Sequence, residues 1–214
     1  MPRQKRLPET LSDDQVRQLL AGIYSPIHRT CLALMYACGL RISEATKLEI
    51  SAIDRANKVL RIVGKGNKER LVPLPQPALD ALGLLWRRHR NRRWIFPNQC
   101  GDGPLNQRVL SNSFADAAAA IGLRRVVTPH TLRHSYATRL IENDVNIRIV
   151  QILLGHADVE KPVRMRVTER QDIGVFPEIG GQSHNLRTGR RRPRPHRVHS
   201  VRDHLWRVRH PPRL

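Results

Sequence analysis

Aromatic residues and cysteines are scarce in this chain of 214 residues, which restricts the kind of core and the kinds of cross-link that the protein can have. Phe, Trp and Tyr make up 4% of the sequence, so the core must be mostly Leu, Ile, Val and Ala. The three cysteines are an odd number without metal-ligand spacing, which argues against a disulfide framework and against a metal site. Cys31 and Cys38 lie seven residues apart in an apolar stretch, which predicts buried thiols in a reducing compartment and favours the cytoplasm.

Long hydrophobic runs and acidic residues are also few. No run approaches the ~18 apolar residues of a membrane span, and no signal peptide opens the chain, so we expect no membrane partner. The 18 acidic residues face 38 lysines and arginines, which gives a formal net charge of +20 and a pI near 11.5. Such an excess predicts a polyanionic partner, with nucleic acid ahead of an anionic membrane surface.

Hydrophobic periodicity and turn signals predict a mainly α-helical domain with a small β-hairpin, an α+β fold, over residues 11–160. Ser12 and Gln15 have the spacing of a capping box that opens a helix reaching about Gly22. The other predicted helices cover residues 26–38, 43–48, 77–88, 106–122, 129–143 and 146–154. Strands are predicted at 59–63 and 69–74, joined by a turn at 64–68, with a short extended piece at 94–97.

The two ends of the chain differ from this domain. Residues 1–10 are a basic lead-in. No lysine occurs after Lys161, and residues 187–214 hold ten arginines and one acid, Asp203. This composition predicts a disordered Arg/Pro/His-rich tail over residues 161–214. Because a GC-rich gene read out of frame gives such a composition, we hypothesise that the tail is a frameshift product. Sequencing the locus for a family-like ending in another frame tests this.

Four short motifs in the domain occur in a specific order. They read GLRISEA at 39–45, GKGNK at 64–68, HTLRH at 130–134 and LLGH at 153–156. Together they resemble the catalytic domain of the tyrosine recombinases, the phage-integrase family, over roughly residues 7–160. The resemblance implies a mostly helical domain with a small sheet. It also implies site-specific recombination and integration of double-stranded DNA by an oligomer, through a 3′-phosphotyrosyl bond and without metal or cofactor.

The site residues that follow from this resemblance are Arg41, Lys65, His130, Arg133 and His156. Transfer at a phosphodiester builds negative charge on the non-bridging oxygens, so catalysis depends on positioning and charge stabilisation. Two guanidinium groups, Arg41 and Arg133, can supply this stabilisation because each presents several donors in a fixed fork. His130 precedes Arg133 by three residues, so a helix starting near Pro129 projects both from one face.

The resemblance assigns proton transfer and further hydrogen bonds to the remaining residues. Lys65 at the hairpin tip would protonate the leaving 5′-oxygen, although Lys68 can serve equally. His130 would hydrogen-bond the scissile phosphate or assist proton transfer from the nucleophile, and His156 would add a further donor at the same phosphate. Glu44 has two readings of equal weight: it orients Arg41, or it only favours the first turn of its own helix.

The nucleophile of the family is missing from its expected place. It lies about nine residues after the motif-ending histidine, and position 165 holds a methionine, whose thioether has no ionisable group. The only tyrosines are Tyr24, Tyr36 and Tyr136, and Tyr136 is predicted to be a core residue of its helix. The N-terminal DNA-clamping domain of the family is also expected to be absent, so we do not expect this chain to cleave DNA alone.

Three functions remain open from the sequence. The first is a truncated and inactive recombinase catalytic domain from a mobile element. The second is a non-catalytic DNA-binding regulator, or a partner subunit to which an intact recombinase donates a tyrosine. The third is an RNA-binding protein that uses only its tail, which the four ordered motifs do not favour.

Overall fold

The computed structural model describes residues 10–64, 69–123 and 127–155. Along these residues the elements are α1 (Asp13–Ala21), α2 (Pro26–Cys38), α3 (Ile42–Thr46), a 3₁₀ helix (Ile50–Ala52), β1 (Ile53–Asp54), β2 (Val59–Val63), β3 (Glu69–Pro73), α4 (Gln76–His89), α5 (Gln107–Ala120), α6 (Pro129–Glu142) and α7 (Ile147–Leu154). The predicted fold class, mainly helical with a small sheet, is confirmed. The predicted tail over residues 161–214 lies outside the described residues.

The first two helices begin at the capping signals in the sequence. The Ser12 hydroxyl accepts from the Gln15 amide, and the Gln15 side chain accepts from the Ser12 amide, so the predicted capping box is confirmed. Helix α2 begins with Pro26 and ends at Gly39, whose φ of 61° lies in the left-handed region that favours glycine. This turn sends the chain directly from α2 into α3.

The three strands form an antiparallel sheet in the order β1-β2-β3. Alternation decides which side chains face the core: Leu60 and Ile62 of β2 are buried, whereas Arg61 between them is exposed. In the β2–β3 register Leu60 lies opposite the buried Val72. The hairpin was predicted, but β1 was not, because two residues are too few for an alternating pattern.

Helix α2 is the centre of the core. Every residue from Thr30 to Cys38 is buried, and α2 packs against α1, α3, α4, α5 and α6. The predicted burial of Cys31 and Cys38 is confirmed, and burial raises the pKa of both thiols, that of Cys38 to about 12. No helix in the described part of the chain is long and apolar enough to cross a membrane.

A second, smaller hydrophobic cluster joins α6 to α7. It consists of Tyr136, Leu140, Val150, Leu153 and Leu154. The predicted core position of Tyr136 is confirmed, since its side chain is 3% exposed, and burial raises its pKa. Its ring lies so close to Gly39 that a Cβ there would overlap it, so the end of α2 and the middle of α6 are in direct contact.

Candidate functional site

Arg41 lies in the short link between α2 and α3. Because Gly39 ends α2 in a left-handed turn and Leu40 is fully buried, Arg41 is held as the N-cap residue of α3. Its side chain is 37% exposed. The side chains of Arg70 and Arg133, which lie beside the same carboxylate, are only 9% and 8% exposed, so Arg41 is the most accessible of the three to a ligand.

Glu44 has both of the roles that the sequence left open: it orients Arg41 and it stabilises the first turn of α3. One carboxylate oxygen accepts from the Arg41 backbone amide at 2.8 Å, which caps the first turn of α3. The other accepts from Arg41 Nη1 at 2.9 Å, which orients the guanidinium. The carboxylate is 7% exposed, so these hydrogen bonds form away from water.

Arg70, on β3, completes this arrangement and was not predicted as a site residue. Its Nη1 and Nη2 donate to the two carboxylate oxygens of Glu44 at 2.9 and 2.8 Å, a bidentate pair. Burial alone raises the pKa of Glu44, but hydrogen bonds from Arg70 and Arg41 outweigh burial and lower it to about 2. Glu44 is therefore ionised at neutral pH.

Arg70 also ties the hairpin to the end of α7. Its Nε donates to the Leu153 carbonyl at 2.9 Å, and its guanidinium packs against Gly155, the left-handed C-cap of α7. The signal for this role was present in the sequence, since Arg70 is two residues before the buried Val72 and so faces the same side of β3. An arginine at an inward strand position requires a partner, but its partners are distant in sequence.

Arg133 links the ends of two helices. It lies on α6 and is 7% exposed, and its guanidinium donates to the Gly39 carbonyl at the end of α2 and to the Leu154 carbonyl at the end of α7. Its Nη1 lies 3.9 Å from Glu44. Burial, followed by the charge of Arg41, lowers the pKa of Arg133 to about 10, so it stays protonated at neutral pH.

The structure thus brings together two of the five predicted site residues, Arg41 and Arg133, through Glu44. His130 is on the first turn of α6, three residues before Arg133, and is exposed. Lys65 and His156 lie outside the described residues, so their predicted roles stay predictions. Arg41, Arg70 and Arg133 surround the Glu44 carboxylate, and we call these four residues the arginine cluster.

A cavity of about 940 Å³ opens beside the arginine cluster. It lies between α3, the segment that follows α3, and the sheet, and its lining includes Arg41, Glu44, Lys47, Arg61 and Gly64. The lining as a whole has three basic and three acidic residues, and two of the acids, Glu44 and Glu49, are paired with arginines. A concave surface with fixed guanidinium donors suits the oxygens of a phosphate diester. Nowhere in the described ranges do three or more His, Cys, Asp or Glu residues group to hold a metal ion.

Comparisons with known proteins agree with this geometry. The sequence model described as Phage integrase family matches residues 9–165. Tyrosine recombinase XerD of Lacticaseibacillus casei is 38% identical over 167 residues, covering 72% of this chain and 57% of the relative. Tyrosine recombinase XerD of Mycobacterium tuberculosis H37Rv is 40% identical over 172 residues, covering 72% and 55%. The chain therefore spans little more than half the length of these relatives.

Solved structures are similar in fold. The crystal structure of XerA recombinase superposes with a TM-score of 0.65 at 26% identity, covering 74% of this chain and 58% of that one. XerH site-specific recombinase bound to its difH substrate in a pre-cleavage complex gives a TM-score of 0.64 at 28% identity, covering 73% and 50%.

Proposed function

The chain belongs to the phage integrase family, and we propose that it is the catalytic-domain part of a site-specific DNA recombinase or integrase. In this proposal it binds the scissile phosphodiester of duplex DNA but does not cleave the strand on its own. The observation that carries the proposal is the arginine cluster. One buried carboxylate there orients Arg41 in the wall of the cavity, with Arg133 3.9 Å from that carboxylate.

The charge balance of the cluster favours an anionic ligand. Three guanidinium groups surround a single ionised carboxylate, so the cluster keeps a net positive charge after its internal pairing. In the proposed complex Arg41, the most exposed of the three, donates to a non-bridging phosphate oxygen. Such preorganised donors stabilise the charge that develops during phosphoryl transfer.

The remaining predicted residues would complete the phosphate site. His130 and His156 are proposed as further donors to the phosphate, and Lys65 as the general acid for the leaving 5′-oxygen. Exposure of His130 at the start of α6 and the position of Gly155 beside Arg70 support the proposed roles of the two histidines.

The proposal of inactivity depends on the tyrosines. Residues 137–214 contain none, and position 165, which matches the family nucleophile, is Met165. Tyr136 is buried against Gly39, and the Tyr36 hydroxyl donates to Asp13, so neither phenol is available for attack. Burial and the hydrogen bond to Asp13 raise the pKa of Tyr36 to about 12, which further disfavours its phenolate.

The same observation supports a second candidate function. A DNA-binding protein with a retained phosphate site and no nucleophile can occupy recombination sites or serve as a partner subunit of an intact recombinase. Mixing this chain with an intact relative on DNA separates the two. Cleavage in excess of the intact protein's own activity supports the partner function, and unchanged cleavage supports an inactive domain. Both functions act on DNA, and we propose that the protein is located in the cytoplasm.

A binding assay tests the proposed function. Each phosphate neutralised by a protein cation releases counterions, so affinity for a DNA duplex should fall steeply as salt rises from about 50 to 200 mM. Arg41→Gln should weaken binding and reduce the salt dependence, whereas Arg17→Gln, on the exposed face of α1, should change neither. No gel shift by the wild-type chain near 50 mM salt would refute the proposal.

A further inference from the structure

A second group of arginines lies past the end of α4, away from the arginine cluster. Arg90, Arg92 and Arg93 are exposed and follow one another within four residues. With Trp94 and the loop Gly101–Pro104 they line a cavity of about 470 Å³. We call Arg90, Arg92, Arg93 and Trp94 the Arg90 surface.

The guanidinium groups of two of these arginines lie over tryptophan rings. The guanidinium carbon of Arg90 lies 4.6 Å from the ring centroid of Trp86, and that of Arg93 lies 4.5 Å from that of Trp94. A cation–π contact of this kind restricts the guanidinium group and uses none of its N–H donors. Within the described ranges, neither Arg90 nor Arg92 forms an ion pair, whereas Arg93 pairs with Glu49.

Asn91 makes the loop that carries these arginines rigid. Its side-chain oxygen accepts from the amides of Arg93 and Trp94 at 2.9 and 2.8 Å, and its side-chain nitrogen donates to the Gly101 carbonyl at 2.7 Å. The Trp86 indole donates to the Asn91 carbonyl at 2.9 Å. The Arg90 surface is therefore organised before any ligand binds, which reduces the entropic cost of binding.

Arg90 adopts a backbone conformation that is more usual for glycine. Its φ of 51° is in the left-handed region, at the helix C-cap where glycine is the favoured residue. The helix dipole gives a structural reason for basic residues in the last turn of α4, but Arg90, Arg92 and Arg93 come after that turn. Lys58 and Asp144 share this left-handed conformation, so the group of three exposed arginines at one cavity, and not the backbone, points to an anionic ligand.

The Arg90 surface continues from the cavity beside the arginine cluster. The Ile50 amide donates to the Arg93 carbonyl at 2.9 Å, and the Ile95 amide donates to the Leu48 carbonyl at 3.0 Å. Residues 47–49 line the larger cavity, and the Arg93–Glu49 ion pair spans the boundary between the two surfaces. The two surfaces are therefore adjacent along the 48–50 segment, where the one acidic residue, Glu49, is paired with Arg93.

We propose that the Arg90 surface is a second contact for the phosphate backbone of the same DNA duplex that the arginine cluster binds. This inference rests on the proposed function. The contact is to phosphates rather than bases, because the donors are guanidinium edges on a shallow surface. Asp102 also lines the cavity, but three arginines against this one carboxylate leave the lining with a net positive charge. The surface adds affinity and orientation to the complex but does not specify sequence.

The salt dependence of duplex binding tests this contact. The double variant Arg90→Gln/Arg92→Gln is compared with Arg17→Gln/Arg108→Gln, which removes two exposed arginines from α1 and α5. Both carry the same tail and lose the same charge. The slope of log affinity against log salt should become shallower by about 1.8 in the first variant, for two lost phosphate contacts, and by less than half of that in the control.

A single variant keeps the test valid if the double variant unfolds. Arg90→Gly places glycine at a left-handed C-cap, so its melting temperature should stay equal to or above that of the wild type. Its DNA affinity should nevertheless fall about fivefold, consistent with one lost phosphate contact at about 0.1 M salt.

The outcomes separate this inference from the proposed function. If the wild-type chain binds DNA, and the variants at positions 90 and 92 bind like the wild type or the control, the Arg90 surface is not a DNA contact and the arginine cluster remains the binding site. If the wild-type chain itself fails to bind the duplex, both the proposed function and this contact are wrong.

Discussion

At the scale of single residues, Glu44 organises the site more than either predicted arginine does. It caps α3 at Arg41, orients the Arg41 guanidinium, and accepts a bidentate pair from Arg70. Arg70 is only 9% exposed, so its charge depends on Glu44 for compensation. Removing one partner of a buried pair leaves the other charge buried without compensation, which is the costly case.

Replacement of Glu44 by glutamine should therefore destabilise the fold. We expect Glu44→Gln to lower the free energy of unfolding by about 3 to 5 kcal/mol, because Arg70 remains buried beside a neutral amide. The control is Glu49→Gln, since the Glu49–Arg93 pair is exposed and should contribute less than about 1 kcal/mol. Urea unfolding of both variants at neutral pH measures the difference. Equal losses in the two variants would contradict the role assigned to Glu44.

Acidification should remove the same contribution from the wild type. The folded-state pKa of Glu44 is about 2, below its ordinary value of 4.5, so its contribution is complete above pH 4.5 and is lost as pH falls toward 2. The difference in unfolding free energy between wild type and Glu44→Gln should shrink by about 3 kcal/mol over this range. Urea unfolding from pH 5 to pH 2 measures this difference, and a difference that stays constant would show that Glu44 is not the titrating group.

Alanine substitutions at three glycines distinguish the energetic cost of backbone strain from that of steric overlap. Gly39→Ala should cost about 3 kcal/mol, because alanine is strained at φ 61° and its Cβ overlaps the Tyr136 ring. Gly122→Ala, at φ 71° with open space around it, should cost about 1 kcal/mol from strain alone. Gly83→Ala, inside α4 and without a close neighbour, should stabilise by up to about 1 kcal/mol. Thermal unfolding measures all three, and equal costs at positions 39 and 122 would exclude the Tyr136 contact.

At the scale of elements, Arg133 and Arg70 hold α7 in place from two sides. Arg133 donates to the Leu154 carbonyl and Arg70 to the Leu153 carbonyl. The hydrophobic cluster between α6 and α7 is small, so these two hydrogen bonds are a large share of what fixes the helix end that precedes His156. Elements with few buried contacts are the ones that open locally.

Arg133→Lys should increase local opening of α7. Lysine keeps the charge, but it cannot reach two carbonyls with a planar fork, so at least one of them loses its donor. Amide exchange in α7 should become at least about tenfold faster, as expected for the loss of one charge-assisted hydrogen bond. Arg148→Lys, on the exposed side of α7, is the matched control and should leave exchange unchanged. Unchanged protection in Arg133→Lys would show that the Leu154 contact does not fix α7.

Sequence patterns predicted these elements well where the signal was local. The capping box at Ser12, the glycine stop at Gly39 and the alternation of Val59–Val63 each act over a few residues, and each is confirmed. The role of Arg70 was missed because its partners Glu44 and Leu153 lie 26 and 83 residues away in sequence. Only the tertiary fold brings them together.

At the scale of the whole molecule, the family was predictable and the site was predictable in part. Four ordered motifs indicated the phage integrase family, which the match over residues 9–165 shows. Arg41 and Arg133 lie beside one carboxylate, while their roles at a phosphate remain predictions, and the backbone carbonyls that Arg133 binds have no signature in sequence. Lys65 and His156 lie outside the described residues, so their roles remain predictions, as does the frameshift origin of the tail.

The central claim is that the phosphate site is retained while the attacking group is missing. The direct test is incubation of the full chain with a nicked suicide DNA substrate, which traps a covalent phosphotyrosyl adduct, beside an intact XerD-type recombinase on its own nicked site as positive control. We predict that this chain binds the substrate but forms no covalent adduct. A covalent adduct, mapped by mass spectrometry to Tyr24, Tyr36 or Tyr136, would contradict the account.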